Sequence, residues 1–367
     1  MAYRGQGRDC QFVWSIAHLG AVEGNWAYGV SSGNIANEVP WEIESVTPRH
    51  DYGNRQTNSI QQATWPNVKK RVKTLETHGF DASGPVTEMS WIYPVACFCN
   101  RQGEGTFGTV TGTATVYSCH FRPNTTRGST VSSATWPSCI EARLLYDAGT
   151  TDHYAPGLVE SLEFRFDEDA ELQMSVGVYF GTCKEGTVYS NSVAFDKDVN
   201  CPFTAAMGTV RYNGTVTAIK NGNIAVTRTL IPHRSLADGT LLGNCSLSNI
   251  SGRGALNIYL ETQADWDAIE QDCRNGNTLA TLTMHYVGST RAGHPSAMNL
   301  IGTFLIDPTD VVKPVGGGEL MRTVNFNLLG PNHSATPTVP FDIQGTFSWR
   351  DMGANWTPDA LPCRNQA

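Results

Sequence analysis

The sequence predicts a mainly β fold of two tandem β-sandwich units, each with a short flanking helix and a long hairpin. Strict alternation is the first observation behind this. Leu172, Met174, Val176, Val178 and Phe180 alternate with Gln173, Ser175, Gly177 and Tyr179, the period-two pattern of a strand with one buried and one wet face. Just upstream, Leu162, Phe164 and Phe166 alternate with Glu163 and Arg165, and the polar Asp167-Glu168-Asp169-Ala170 between the runs predicts an antiparallel hairpin. The second observation is recurrence. Residues 298–306 form an apolar run, and Leu320, Val324, Phe326 and Leu328 share one face of another strand. A second terminal hairpin is therefore expected, with its tip near Gly316-Gly317-Gly318 and Gly330 where the first has Gly181. The third is length: 367 residues exceed the ~250 that one hydrophobic core usually serves.

The elements upstream of these hairpins also correspond. In the first half, 71–77 is strand-like and Gly84-Pro85 is expected to open a helix, since proline is tolerated at a first helical position. That helix would carry Met89, Trp91 and Ile92, kink at Pro94 and fray by Gly103. In the second half, 256–260 reads as a strand. Thr262 then caps a helix with Trp266, Ile269 and Cys273 at helical spacing, Asp265 and Asp267 at its positive end, and Asn275-Gly276 as its stop. Strands follow at 113–119 and 139–146 in the first half and at 279–287 in the second. An internal duplication explains the order, and a chance likeness of two β-rich stretches is the competing reading. The expected division is 1–40 as an N-terminal arm, 41–190 and 191–330 as the two units, and 331–367 as a C-terminal extension in which 341–349 adds an edge strand.

Charged residues make up only 16% of the chain, against a usual ~25%, which leaves a surface of Thr, Ser, Asn and Gly. Such a surface belongs either to a protein covered by partners or to a plain β protein. The net charge of −8 argues against an overall basic grip on nucleic acid. No apolar run reaches the ~18 residues that span a bilayer, and no signal-like segment opens the sequence, so a cytoplasmic site of synthesis and no membrane partner are expected. The ten cysteines are then expected to be mostly free, buried thiols.

The search for chemistry is negative, and the expectation is no enzyme activity, no catalytic residues, no metal and no cofactor. There is no Gly-x-Ser-x-Gly elbow, His-Glu-x-x-His, P-loop, or Gly-x-Gly-x-x-Gly after a strand. Cys97-x-Cys99 is too tight for zinc, and Cys119 and His120 are strand neighbours that point to opposite faces. His285 and His294 are read as structural, while Asp167 to Asp169, Asp196 and Asp198 are read as solvated turns. Trp91 and Trp266 are placed on apolar helix faces as core residues rather than sugar platforms. The one basic stretch holds Arg49, Arg55, Lys69, Lys70, Arg71 and Lys73 without interleaved aromatics, as a charged edge that discourages wrong pairing would.

The order of arm, long early hairpin at 41–78, short helix and closing strands around 154–166 resembles the tail tube proteins of long-tailed bacteriophages of the siphophage type, particularly those with two tandem tube domains. Residues 155–181, a Pro-Gly entry followed by two alternating strands, carry most of the likeness, and 299–330 looks like their counterpart; the likeness spans roughly 40–330. The resemblance implies a structural virion protein of the tail, assembled in the bacterial host cytoplasm. Its copies would self-associate into rings, three chains giving a pseudo-sixfold ring, and stack into a tube. Tape-measure, tail terminator and distal tail proteins would be its partners, and the genome would pass through the lumen unbound during ejection. It also implies two inner-barrel hairpins, one at 41–78 and the other at 209–230 with Asn221-Gly222 as its turn. Arg49 and Arg55 in a channel would retard DNA, so a neutral or acidic channel face is expected, with most of the basic residues at interfaces. A carbohydrate-binding β-sandwich, or another ring-forming tail component such as a terminator or hub, are the alternatives.

Overall fold

The structure is a computed structural model that describes residues 11–17, 39–41, 43–59, 67–99, 116–121, 139–145, 150–188, 201–216, 218–233, 244–259, 263–275, 279–291, 294–308, 321–328 and 341–348. Within these residues the chain is mainly β, a single hydrogen-bonded sheet of 16 strands with two α-helices. The first half runs β1 (Gln11–Ala17), β2 (Val39–Trp41), the hairpin β3 (Ser45–Ser59) and β4 (Asn67–Pro85), helix α1 (Ile92–Cys99), β5 (Val116–Phe121) and β6 (Cys139–Leu145), then the hairpin β7 (Thr150–Asp167) and β8 (Gln173–Val188). The second half opens with a 3-10 turn (Ala205–Met207), β9 (Gly208–Tyr212) and β10 (Thr215–Val216). It continues with the hairpin β11 (Ile219–His233) and β12 (Asn244–Tyr259), helix α2 (Gln263–Asn275), β13 (Leu279–Arg291), β14 (His294–Ile306), β15 (Met321–Leu328) and β16 (Phe341–Ser348).

The strand order repeats. The first half pairs as β2-β1-β6-β7-β8-β4-β3 and the second as β10-β9-β13-β14-β15-β12-β11, with each strand in the equivalent place. Each half has its helix between the second strand of the long hairpin and the strand that follows. The halves are zipped by β7 and β11, antiparallel over seven pairs from Ser161 opposite Thr227 to Asp167 opposite Asn221. One apolar cluster runs through both, from Phe80, Phe164 and Phe180 to Ile224, Leu256 and Phe326.

The predicted hairpin over 162–180 is present with the alternation intact. Leu162, Phe164, Phe166, Met174, Val176, Val178 and Phe180 are buried, while Arg165, Glu168 and Asp169 are exposed at the wet face and the turn. The long early hairpin is present too, but β4 runs on to Pro85, so Gly84 and Pro85 end a strand instead of opening a helix. Helix α1 starts at Ile92, after a turn in which Thr87 and Ser90 each accept the other's backbone N–H (2.9 and 3.2 Å). Pro94 does not break it, because its missing donor falls in the first turn, where amides have no intrahelical acceptor. All eight residues of α1 are buried, as an all-round apolar helix must be. Helix α2 ends at Asn275 as expected, with Ile269 and Cys273 buried and Asp267 exposed. Thr262, Gly103, Gly316 to Gly318, Gly330, Asp196, Asp198 and the side chain of Trp266 lie outside the described residues.

Three expectations are corrected. In the second terminal hairpin β14 and β15 share three pairs among the described residues, at Phe326 to Leu328, while β15 runs along β12 from Met321 opposite Tyr259 to Asn327 opposite Arg253. Asn221-Gly222 is not a turn but lies near the start of strand β11. The turn is Asn213-Gly214, both at positive φ (50° and 77°), and the long hairpin of the second half is 219–259 rather than 209–230. Gly222 is needed because Phe166 crosses its Cα; a Cβ there would lie 2.7 Å from that ring and from the Ala255 carbonyl. Finally, 341–348 is an interior strand: β16 pairs β14 on one side and β5 on the other. Gly345 lets β16 pass over Trp91, whose indole would sit 2.5 Å from a Cβ at that position. Within the segment read as an N-terminal arm, β1 places Phe12 and Trp14 in the core against Trp41 and Phe80.

Candidate assembly surface

The strands β3-β4-β8-β7-β11-β12-β15 form a strip whose inner face is apolar and whose outer face is polar across both halves. One rung reads Ser45, Ser83, Ser175, Glu163, Ala225, Arg253, Asn327, each opposite the next. The neighbouring rung reads Thr47, Asp81, Gly177, Ser161, Thr227, Ser251. Both follow from the period-two pattern: once Phe164, Met174 and Ile224 face the core, their neighbours must face outward. These rungs line an open trough of about 690 Å³, rich in hydroxyls.

Arg49, Arg165 and Lys220 on this face stand beside carboxylates, while Arg253 is exposed on the rung of Glu163. The Arg49 guanidinium lies 3.2 Å from Asp81 and bonds Glu160. Arg165 holds Glu163 through two parallel hydrogen bonds of 2.8 Å, and Asn223 donates to the same carboxylate at 2.8 Å. The Arg165 hydrogen bonds keep the Glu163 carboxyl below its ordinary pKa, against the opposing effect of partial burial. Lys220 stands 3.8 Å from Glu168. Of the predicted basic stretch, Arg49 is therefore on the outer face but neutralised, whereas the side chains of Arg55, Lys69, Lys70, Arg71 and Lys73 are outside the described residues.

A side-chain relay crosses the joint between the halves. Thr323 Oγ1 donates to Asn257 Oδ1 (2.6 Å), Asn257 Nδ2 to Asn221 Oδ1 (2.6 Å), and Asn221 Nδ2 to Asp167 Oδ2 (3.3 Å). Four strands, β15, β12, β11 and β7, are thereby tied along one rung. The Asp167 turn is pinned further by Tyr259, whose hydroxyl donates to Glu168 at 3.0 Å. The turn reading of Asp167 to Asp169 holds, though it is anchored to the second half as well as solvated.

The edges of the strip differ. β11 has its outer edge covered by β7. β3, its equivalent in the first half, pairs only with β4 among the described residues, and its sequence carries Pro48, Arg49, Asp51 and Arg55, residues that blunt an open edge. At the other end, the edge of β14 that corresponds to the β11 site on β7 is taken by the start of β13, with Leu279 opposite Leu305 and Leu282 opposite Gly302.

Among the described residues no three His, Cys, Asp or Glu side chains come together to hold a metal ion, His285 faces Asn299 while His294 faces Arg291 on a separate rung, and Cys97, Cys99 and Cys273 are buried and in no disulfide. Cys183 and Cys201 are half-buried and in no disulfide. Cys119 and His120 sit on β5 opposite Gly345 and Gln344. Trp91 is a core residue, as are Trp14 and Trp41. No described helix is long and apolar enough to cross a membrane. Neither the family models nor the curated proteins contain a match to this sequence.

Proposed function

We propose that this chain is a tail tube subunit of a long-tailed bacteriophage: a structural virion protein with two tandem tube domains, without catalysis or cofactor. Three copies would close into a pseudo-sixfold ring, and the rings would stack into a conduit for genome ejection. The observation that carries the reading is the β7–β11 joint, where one half completes the sheet of an identically ordered half by strand pairing. The same joint made between chains is a heterologous contact, which builds a ring when its rotation closes. β3 is the strand left to make it.

The outer face of the strip suits a lumen. Arg49, Arg165 and Lys220 on it stand beside carboxylates, so a passing polyanion finds these cations already matched, with Arg253 exposed on the rung of Glu163. Ring closure and stacking would occur in the bacterial cytoplasm around a tape-measure protein, with terminator and distal tail proteins at the two ends. A carbohydrate-binding module would instead present indoles to solvent, and the three tryptophans whose side chains are described, Trp14, Trp41 and Trp91, are all buried.

Negative-stain electron microscopy of the purified chain over a range of concentrations tests the proposal. Stacked rings with a channel wide enough for duplex DNA support it. Single rings that never stack point to a terminator or hub, and monomers at every concentration contradict ring formation altogether.

A further inference from the structure

We infer that the first residues of β13 act as a strap that covers the docking edge for a second copy of this chain and must peel away before assembly. The inference rests on the ring reading above and concerns how that joint is regulated. Its basis is the comparison of two equivalent strands. β7 ends in Phe164-Arg165-Phe166-Asp167 and β14 in Phe304-Leu305-Ile306 with Asp307 just after it, so the two strands reach the same place in the two halves. On β7, residues 161–167 receive β11 of the other half, because β6 covers only the earlier part of the strand, up to Gly157. On β14, the matching residues 301–305 receive β13 of their own half, from Leu279 to Thr283. The site that holds a foreign strand in one half is occupied by a local strand in the other.

The strap is held lightly from outside. β9 supports β13 only from Leu282 onward. Among the described residues, the outer edge of the stretch before it is fastened by Asn213, whose Oδ1 accepts the Thr281 N–H (2.9 Å) and whose own N–H donates to the Thr281 carbonyl (2.8 Å). Leu279, the first residue of the strap, is an exposed large apolar side chain, one of four such among the described residues. Ala280 and Leu282 of the strap enter the core, so its opening is a local event that uncovers two apolar side chains, which a docking strand must cover again. Strand exchange at this place costs little net hydrogen bonding, since the incoming β3 would restore the bonds that the strap gives up.

Two variants of the full chain bracket the strap. Asn213→Gly keeps the positive-φ turn and removes the Oδ1 acceptor. L279C/L305C places two thiols directly opposite each other, so that oxidation locks the strap to β14 and reduction frees it. Assembly is read by light scattering and microscopy, with wild type under the same oxidant as the control for the native cysteines. The expected result is that N213G assembles at lower concentration than wild type, while the locked variant stays monomeric and recovers wild-type assembly on reduction. A locked variant that assembles like its reduced form overturns the strap and leaves the ring reading standing. If wild type, N213G and the reduced pair all remain monomeric at every concentration, the ring reading fails and the strap fails with it.

Discussion

Arg228 closes the C-terminal end of the buried helix from the opposite half of the molecule: its Nη1 donates to the Phe98 carbonyl at 2.9 Å. The same guanidinium reaches the Cys97 carbonyl at 3.1 Å and the Val159 carbonyl at 2.7 Å, and it lies over the Phe98 ring. The last carbonyls of a helix have no partner within it and carry partial negative charge, so a planar cation with several donors suits them. Arg228→Met should leave these buried carbonyls unpaired and cost on the order of 3 kcal/mol. Arg228→Lys should recover little of it, because one ammonium cannot reach three carbonyls in a plane. Denaturant unfolding of the three proteins is the measurement. Equal stability of wild type and Arg228→Met would show that the contact is incidental.

Two glycines should respond to alanine for different reasons. A Cβ on Gly254 would press into the Asn223 carbonyl and the Phe326 ring, so Gly254→Ala should cost about 1–3 kcal/mol through displaced packing. Gly214 faces open space, and Gly214→Ala should cost about 1–2 kcal/mol from its φ of 77° alone. Gly214→Asn, which tolerates positive φ, should restore most of that loss, whereas Gly254→Asn should not restore its own. Thermal melts of the four variants separate the two causes.

Acid should weaken the fold through Glu141. Burial raises the pKa of this carboxyl, but the hydrogen bond and charge of His153 and the guanidinium of Arg143, 2.8 Å away, together outweigh it and hold the value below the ordinary 4.5. A depressed carboxyl contributes stability that is present above 4.5 and is lost as pH falls through the folded value. Acid unfolding followed by circular dichroism should therefore show a limb that Glu141→Gln flattens. Glu163 is shifted in the same direction but lies on the open face, so its share should fade with added salt while that of Glu141 persists. An acid limb unchanged in Glu141→Gln contradicts this assignment.

The legible parts of the sequence were those in which a single strand declares its own burial. The hairpin over 162–180 could be read because every second side chain enters the core. Helix α2 could be read from its spaced Ile269 and Cys273 and its Asn275-Gly276 stop. The misread places are those where a distant partner decides. Two Asn-Gly pairs lie nine residues or fewer apart; Asn213-Gly214 turns, while Gly222 stays in a strand because Phe166 of the other half occupies the space above it. β16 looked peripheral because prolines precede it, yet β5 and β14 enclose it. Gly84-Pro85 looked like a helix start because nothing local reveals that β8 pairs with β4 as far as Pro85. No spacing rule could have found the β7–β11 joint, since it is a register between residues far apart in the sequence.

The carboxylates beside Arg49 and Arg165 should keep the chain a poor ligand for duplex DNA. Removing the carboxylates in D81N/E160Q/E163Q would free Arg49 and Arg165. The variant should gain DNA retention at low salt, with an affinity that falls by roughly one to two powers of the salt concentration, as two released guanidinium groups require. Wild type should not be retained. Retention of wild type equal to that of the variant in a filter-binding titration would contradict a charge-neutral face.

The open edge of β3 is best examined by hydrogen exchange along residues 45–59 at low and high protein concentration, with β11 as the internal reference because β7 already covers it. Exchange in β3 should slow as concentration rises while β11 stays unchanged, since a neighbouring copy then supplies the missing strand. Exchange in β3 that is indifferent to concentration would mean that the repeated sheet ends within one chain and builds nothing larger.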